Sequence, residues 1–474
     1  MSVFTDAMTT KDVLTENGMP THSTSGKALV DLFFSQGASR NRDDKDIIRM
    51  FVRAFGENRE LAMRSLFYAR DIRGGQGERR FFRVVFRWVA ENYPDIARKN
   101  ISCIPEYGRW DDVLHVSVGT PIQDSALDFY ENALVYEENG LAGKWAPREG
   151  KATHDLYKAL RDHMGVTPKQ YRKLVVGLSD TVEDKMCANQ WGEINYNHVP
   201  SQAARIYSDA FLRHDRKRYA SYLKAIQDPD RDDVKINANA IFPHEVAKKA
   251  ITGRVFSSQR QRINAQWDSL PNYVPEGQQV IPVCDVSGSM NGTPMNVSVA
   301  LGLYLAQRNK GPYRNEVVTF SRTPQFHSLK SDNVVDQLQE IRRIDWSMNT
   351  DFELLFKIIL ERAKENNLSD EDLPSKIIVF SDMQFDRARR GANKTGFEMV
   401  SDMYEKSQYT MPQLIFWNLR DSHGKPVKYH ETGTALVSGF SPSIMTHVLS
   451  TENMTPSAIV LKTLQDSRYD CVTV

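Results

Sequence analysis

A change of pattern near residue 275 constrains this chain most. From Val280 onward, short apolar runs alternate with amphipathic stretches; before it, no strand-like alternation is visible. Val280–Val286 reads as a buried strand, followed by a helix at 294–309, a strand at Glu316–Phe320, helices at 333–343 and 352–366, a strand at Lys376–Phe380, a helix at 395–407 and a strand at Leu414–Asn418. Strands that alternate with helices of this length predict βαβ units and a parallel sheet. The stretch Leu270-Pro271-Asn272-Tyr273-Val274-Pro275-Glu276-Gly277 reads as a linker. It divides the chain into a region 1–270 and a region 275–474.

The first region reads as helical. Ile47, Ile48, Phe51, Val52 and Phe55 mark one helix face, with Lys45, Arg49 and Arg53 on another. After Gly74-Gly75-Gln76-Gly77, a second helix carries Phe82, Phe86 and Val89 on one side and Arg80, Arg83 and Arg87 in a stripe. Thr167-Pro168 has the form of an N-cap followed by proline at the first helical position, and the helix it opens carries Lys169, Arg172 and Lys173. Further helices are expected at 203–213 and 215–227. Many helices joined by short breaks predict an α-solenoid or other array of helix pairs, with no clean repeat period.

Composition excludes several classes. The 474 residues suffice for two or three domains, and 41% hydrophobic against 26% charged residues favours packed cores over disorder. With 61 basic and 60 acidic side chains the chain is no uniformly basic nucleic-acid coat. The charge is patchy, however: residues 38–100 carry 15 basic against 9 acidic groups, and 151–270 carry 20 against 14. These two blocks are where an anionic partner would bind. No run is long and apolar enough for a membrane helix, and the start shows no secretory pattern. Cys103, Cys187, Cys284 and Cys471 form no CxxC pair and read as reduced thiols, so the expected compartment is cytoplasmic.

The strongest chemical signal lies at the ends of two expected strands. The first ends in Asp285-Val286-Ser287-Gly288-Ser289, and the strand Ile377–Phe380 ends in Ser381-Asp382. Between them, Asn349-Thr350-Asp351 opens a helix. Open α/β sheets carry their chemistry at the carboxyl ends of strands. Carboxylates and hydroxyls are hard oxygen donors, suited to Mg²⁺ or Mn²⁺ rather than zinc. The pentapeptide alone also fits a plain strand-to-helix turn capped by serine. Asp386 reads as a solvated carboxylate or a group behind the metal ligands.

D-x-S-x-S followed by Thr and then Asp resembles the metal-ion-dependent adhesion site of von Willebrand factor A domains, over about 275–474. That resemblance implies metal groups at Asp285, Ser287, Ser289, Thr350 and Asp382, with an acidic group of a protein ligand completing the shell. A helical-repeat region followed by such a domain resembles the Ro (TROVE) RNA-binding proteins, and more closely their two-part relatives of viruses, fungi and plants. The segments that carry this are Arg70-Asp71-Ile72-Arg73-Gly74-Gly75-Gln76-Gly77-Glu78-Arg79-Arg80, Ile104-Pro105-Glu106-Tyr107-Gly108-Arg109-Trp110-Asp111-Asp112, Thr167–Arg172 and Val199-Pro200-Ser201. The resemblance implies a HEAT-like helical array or ring followed by a doubly wound (Rossmann-like) A domain. It also implies structured non-coding RNA on a basic outer surface. The helical region departs in detail from the Ro pattern.

Candidate RNA contacts are Arg73, Arg79, Arg80, Arg83, Arg87, Lys169, Arg172, Lys173, Arg216 and Lys217, since guanidinium forks and ammonium groups suit phosphates. For Arg73–Arg87 the alternative is a solvated helix face paired with Asp71 and Glu78. Tyr171, Tyr219 and Tyr222 would stack on bases or, at helical spacing, fill the core. His198 is read as holding a loop. Enzyme signatures fail: Ser25-Gly26-Lys27-Ala28 is no P-loop, His244-Glu245 and His430-Glu431 lack a second zinc histidine, and Asp228–Asp233 lacks the EF-hand glycine. The leading expectation is a monomeric, non-enzymatic RNA-binding scaffold with a Mg²⁺-binding A domain. The competing one is a metal-dependent protein-interaction module without RNA. A hydrolase using Asp285 and Asp382 lacks a general base beside them.

Overall fold

The structure, a computed structural model, describes residues 13–150, 152–228, 230–310, 313–320, 324–344, 352–385, 394–422 and 424–474. The chain packs into two compact units, neither continuous in sequence. One contains the residues up to Arg42 together with Ile241–Thr463; the other contains Asp43–Ala240 and Leu464–Val474.

The first unit is α/β. A two-residue antiparallel pair, β1 (Val13–Leu14) and β2 (Pro20–Thr21), precedes the main sheet. The sheet comprises β3 (Val280–Asp285), β4 (Glu316–Phe320), β5 (Gln325–Ser328), β6 (Lys376–Ser381), β7 (Gln413–Asn418) and β8 (Thr434–Ser438), in the order β5-β4-β3-β6-β7-β8. All neighbours are parallel except β4 with the edge strand β5. Ranked by chain order this is 3-2-1-4-5-6, the doubly wound arrangement, whose order reverses between β3 and β6. Both of those strands are buried along their whole length, which explains why they read as unbroken apolar runs rather than alternating ones. Helix Thr293–Arg308 is buried without interruption from Val297 to Ala306, as a helix apolar on every side must be.

The elements expected after residue 280 are all found within a residue or two. Sequence pattern missed β5 and β8, and the helices Pro243–Thr252 and Ser257–Asp268, which belong to this unit. It also missed that the N-terminal segment belongs here. Helix Ala28–Gln36 is tied to β8 and β7: the Ser438 hydroxyl donates to the Phe33 carbonyl (2.8 Å), the Gly37 N–H to Ser438 Oγ (3.2 Å) and the Asn418 amide to the Phe34 carbonyl (3.2 Å).

The second unit is helical. Asp44–Glu57, Arg59–Arg70, Arg79–Asn92, Trp110–Ser117, Gln123–Val135, His154–His163, Pro168–Leu178, Ser201–His214 and Arg216–Ile226 are its longer helices. Phe51, Phe55, Phe67, Phe82 and Phe86 form its aromatic core with Trp88 and Tyr107. Thr167 caps its helix as the sequence predicts, in a reciprocal box with Gln170 and with Pro168 next. Tyr171 and Tyr219 are core residues, 2% exposed each, so they are not stacking platforms. The fold class expected from sequence, a helical-repeat part with a doubly wound A-like part, is the one observed. Among the described residues no helix is long and apolar enough to cross a membrane.

Candidate functional site

In the α/β unit the order reversal places the ends of β3 and β6 side by side. Asp285 closes β3 and is 0% exposed; Ser381 closes β6, and Asp382 follows it, buried. Asp285 Oδ1 accepts the Ser287 N–H (2.9 Å), which shapes the D-x-S turn, and Oδ2 accepts the Ser381 hydroxyl (2.6 Å). The hydroxyls of Ser287 and Ser289 lie 3.0 Å apart. Asp382 Oδ1 accepts the Gln384 N–H (3.1 Å), and Met383 between them adopts φ 63°. Burial first, and then the charge of Asp382, push the Asp285 carboxyl up to about 7, against the hydrogen bonds from Ser381 and Ser287. Two buried carboxylates thus act on one another, and neither has an ion-pair partner among the described residues.

Four of the five predicted metal groups come together here. Thr350 lies outside the described residues, as does Asp386. Among the described residues no three His, Cys, Asp or Glu side chains converge, so the donors on view are two carboxylates and two hydroxyls. That all-oxygen set, and the raised Asp285, fit a hard divalent cation. Ser381 was not singled out from sequence, although its place at a strand end next to Asp382 was the available signal. Nor was the N-terminal support: the Thr15 hydroxyl donates to the Phe385 carbonyl (2.8 Å) and the Asn17 amide to the Gln384 carbonyl (2.6 Å), bracing the loop after Asp382. Arg420 donates to the Ser289 carbonyl from the far side of the turn.

In the helical unit, the ten predicted cations fall into two groups. Arg83 is engaged: Nε lies 2.6 Å from Asp112 and Nη2 2.9 Å from Asp111. Arg73 donates to the Glu106 carbonyl (3.0 Å), Arg80 pairs with Asp44 (2.5 Å), and Arg87 holds the Val118 carbonyl (3.0 Å) and Glu91 (3.3 Å). By contrast Arg79, Lys169, Arg172, Lys173, Arg216 and Lys217 are exposed and have no hydrogen-bond or ion-pair partner among the described residues. These cluster at the starts of Arg79–Asn92, Pro168–Leu178 and Arg216–Ile226, none of which has an acidic residue in its first turn. Four of them, Arg79, Lys169, Arg216 and Lys217, lie in the first turn, where a cation opposes the helix dipole and is placed against local stability.

The two long motifs of the helical unit have a structural explanation. Asp71 accepts Arg468 and the Tyr469 hydroxyl (3.1 Å) from the returning C-terminal segment, and a Cβ on Gly74 would come within 2.7 Å of the Arg468 guanidinium. In the second motif, Asp112, 0% exposed, binds Arg70, 2% exposed, at 2.7 Å. A Cβ on Gly108 would come within 2.6 Å of Asp112 and 2.8 Å of Arg70. Of the groups proposed as partners of Arg73–Arg87, Asp71 instead serves the C-terminal segment; Asp111 and Asp112 were not foreseen.

Comparison with known proteins agrees with this architecture. Two family models match the chain: a domain of unknown function, DUF2828, over residues 15–120 and 166–277, and a second domain of unknown function, DUF7788, over 279–469. An uncharacterized protein, L728, of Acanthamoeba polyphaga mimivirus is 28% identical over 501 residues, which span 95% of this chain and 87% of the viral one. The crystal structure of the Deinococcus radiodurans Ro (RSR) protein matches with a TM-score of 0.50 at 15% identity, over 93% of this chain and 99% of that one. At that identity the likeness shows a shared fold.

Proposed function

We propose that this protein is a non-enzymatic RNA-binding scaffold whose helical unit grips the phosphate backbone of structured or misfolded non-coding RNA, while its A-like unit holds Mg²⁺ or Mn²⁺. The observation that carries the RNA reading is the set of six unpaired cations at three helix starts. Charges that lower helix stability and neutralise nothing within the protein are positioned for an external polyanion. The Ro fold supports the reading, and the neutral net charge keeps non-specific binding low.

Asp285, Ser287, Ser289 and Asp382, with Thr350, would hold the metal. Bound there, it would neutralise the carboxylate pair and offer a coordination position to an acidic group of a protein ligand. This chain's own residues do the positioning: Ser381 and the Ser287 N–H fix both oxygens of Asp285, and Thr15 and Asn17 fix the loop that carries Asp382. The buried carboxylates, without an ion-pair partner among the described residues, also favour a second reading, a metal-dependent protein-interaction module without RNA. We infer a monomer acting in the cytoplasm.

The test is to purify the full chain at moderate salt, sequence the RNA that remains, and titrate that RNA in filter binding. A defined set of small structured RNAs with salt-dependent affinity supports the scaffold. Protein free of RNA and without RNA affinity sinks it in favour of the interaction module, which requires partner binding to be lost with EDTA.

A further inference from the structure

The node around Asp111 and Asp112 carries more positive charge than it can neutralise. Asp112 Oδ1 receives Arg83, and Oδ2 receives Arg70 Nε (2.8 Å) and the Arg109 N–H (3.0 Å). Asp111 Oδ1 receives Arg109 Nε (2.8 Å), and Oδ2 receives Arg109 and Arg83. All four carboxylate oxygens are engaged, between them by three arginines. Arg79 lies one turn before Arg83 on the same helix (i, i+4), exposed and with no hydrogen-bond or ion-pair partner among the described residues. Partial burial, and then repulsion from Arg109, Arg70 and Arg83, hold it below its ordinary pKa, with Asp112 opposing. Three guanidinium groups thus share two carboxylates, and Arg79 is ion-paired to neither of them. Beside them the Arg109 guanidinium lies 3.9 Å from the centre of the Trp145 ring, which fixes its plane.

A crowded, oriented set of guanidinium forks whose internal anions are already used lacks only an external tetrahedral anion. We propose that Arg79, with Arg83 one turn along its helix and Arg109, which shares Asp111 with Arg83, forms a preorganised phosphate-binding site on the helical unit. The inference rests on the RNA-binding reading for its main occupant, a phosphodiester of the RNA backbone. A free phosphate-bearing small molecule presents the same chemistry. The bound phosphate would bridge Arg79 to the rim of the node and relieve the repulsion that the node now sustains. Arg70 stays behind as the buried strut that fixes Asp112.

The experiment compares the full-length protein with Arg79→Gln, using inorganic phosphate as the first probe. Melting is followed in chloride and in phosphate at matched ionic strength. In chloride Arg79→Gln melts at or above wild type, because a repulsive charge is gone; this also verifies that it folds. Phosphate raises the melting temperature of wild type and not of the variant. Equal response of the two proteins to phosphate, or a lower melting temperature of Arg79→Gln in chloride, overturns the site. The second arm is RNA filter binding across salt concentration. With RNA backbone as occupant, Arg79→Gln weakens binding about tenfold and lowers the salt slope by roughly 0.7–0.9. A phosphate response with an unchanged RNA slope assigns the site to a free phosphate compound. A phosphate response in a protein that binds no RNA rejects the scaffold reading and keeps the site.

Discussion

Arg468 Nη2 donates to Asp71 Oδ1 at 2.8 Å, joining two residues 397 positions apart within the helical unit. The contact is part of a wider seam. The Tyr107 hydroxyl donates to the Arg468 carbonyl, Tyr107 and Tyr469 stack with centroids 5.5 Å apart, and the Asn100 side-chain amide donates to the Thr473 carbonyl (2.7 Å) and accepts the Thr473 N–H (3.0 Å). The last eleven residues, Leu464–Val474, therefore complete a helical unit that begins at Asp43. Asp71 is 0% exposed, whereas the Arg468 side chain is 31% exposed. Arg468→Ala strands a buried carboxylate and is expected to cost about 2–4 kcal/mol, at or just below the range for breaking a fully buried pair. Denaturant unfolding followed by circular dichroism measures it; a loss within 0.5 kcal/mol, the size of an ordinary surface change, contradicts the seam.

Charge reversal on helix Pro168–Leu178 separates binding from stability. Lys169, Arg172 and Lys173 are exposed and unpaired among the described residues. The triple change Lys169→Glu, Arg172→Glu, Lys173→Glu should lower the RNA salt slope by about 2–3, at roughly 0.7–0.9 per phosphate contact. The fold should hold, since all three side chains are exposed and an acidic group at 169, in the first turn, stabilises a helix by roughly 0.3–1 kcal/mol. Loss of RNA binding together with a large drop in melting temperature would mean that these residues hold the fold instead.

Asp285 sets an unusual pH dependence for the metal-free protein. Its folded pKa is raised to about 7, from an ordinary 3.8, by burial and then by Asp382. Between those values the folded chain keeps a proton that the unfolded chain has released. Raising pH across that window therefore favours unfolding, and the stability linked to the proton is fully present only below the lower value. Melting in EDTA should fall as pH rises from 5 to 8. Mg²⁺ should reverse the fall at pH 8 and matter little at pH 5. Asp285→Asn should flatten the curve and remove the Mg²⁺ response. An EDTA melting curve that rises with pH over this interval would contradict the buried carboxylate pair.

The path from sequence to structure was clear where periodicity or strand-end chemistry carried the information. The D-x-S-x-S turn and Asp382 could be assigned to the carboxyl ends of two strands, where open α/β sheets carry their chemistry; that the two strands are neighbours is seen in the sheet. The Thr167-Pro168 helix start was legible because capping is local. Partner choice was not legible. Arg79 and Arg83 look alike in a basic helix, yet Arg83 is bound to carboxylates 28 and 29 residues away and Arg79 is not. Helix Ala28–Gln36 is too uniformly apolar for its pattern to name the surface it covers, so its attachment to β8 emerged only in three dimensions. Asp71 reads as a neighbour of Arg73 and belongs instead to Arg468.

Gly108 offers the most local test of the arginine node. Its Cα lies so close to the Arg70–Asp112 pair that an added methyl would meet Asp112 Oδ2 at 2.6 Å and Arg70 Nε at 2.8 Å. Neither neighbour can yield cheaply, because both side chains are buried, at 2% and 0% exposure, and hold each other at 2.7 Å. Burial tends to raise the Asp112 pKa, but Arg70 and Arg83 outweigh it and the net shift is downward. The stability tied to that carboxylate is thus present above its unfolded pKa near 3.8 and is lost as pH falls through the lower folded value. Gly108→Ala should displace one side chain and cost about 3–5 kcal/mol at neutral pH, the range for a broken buried pair. The deficit relative to wild type should shrink at acid pH, where wild type loses the same interaction. A surface-like loss of about 0.5 kcal/mol, or a deficit independent of pH, would show that the node tolerates the methyl group and that Asp112 is not held as described.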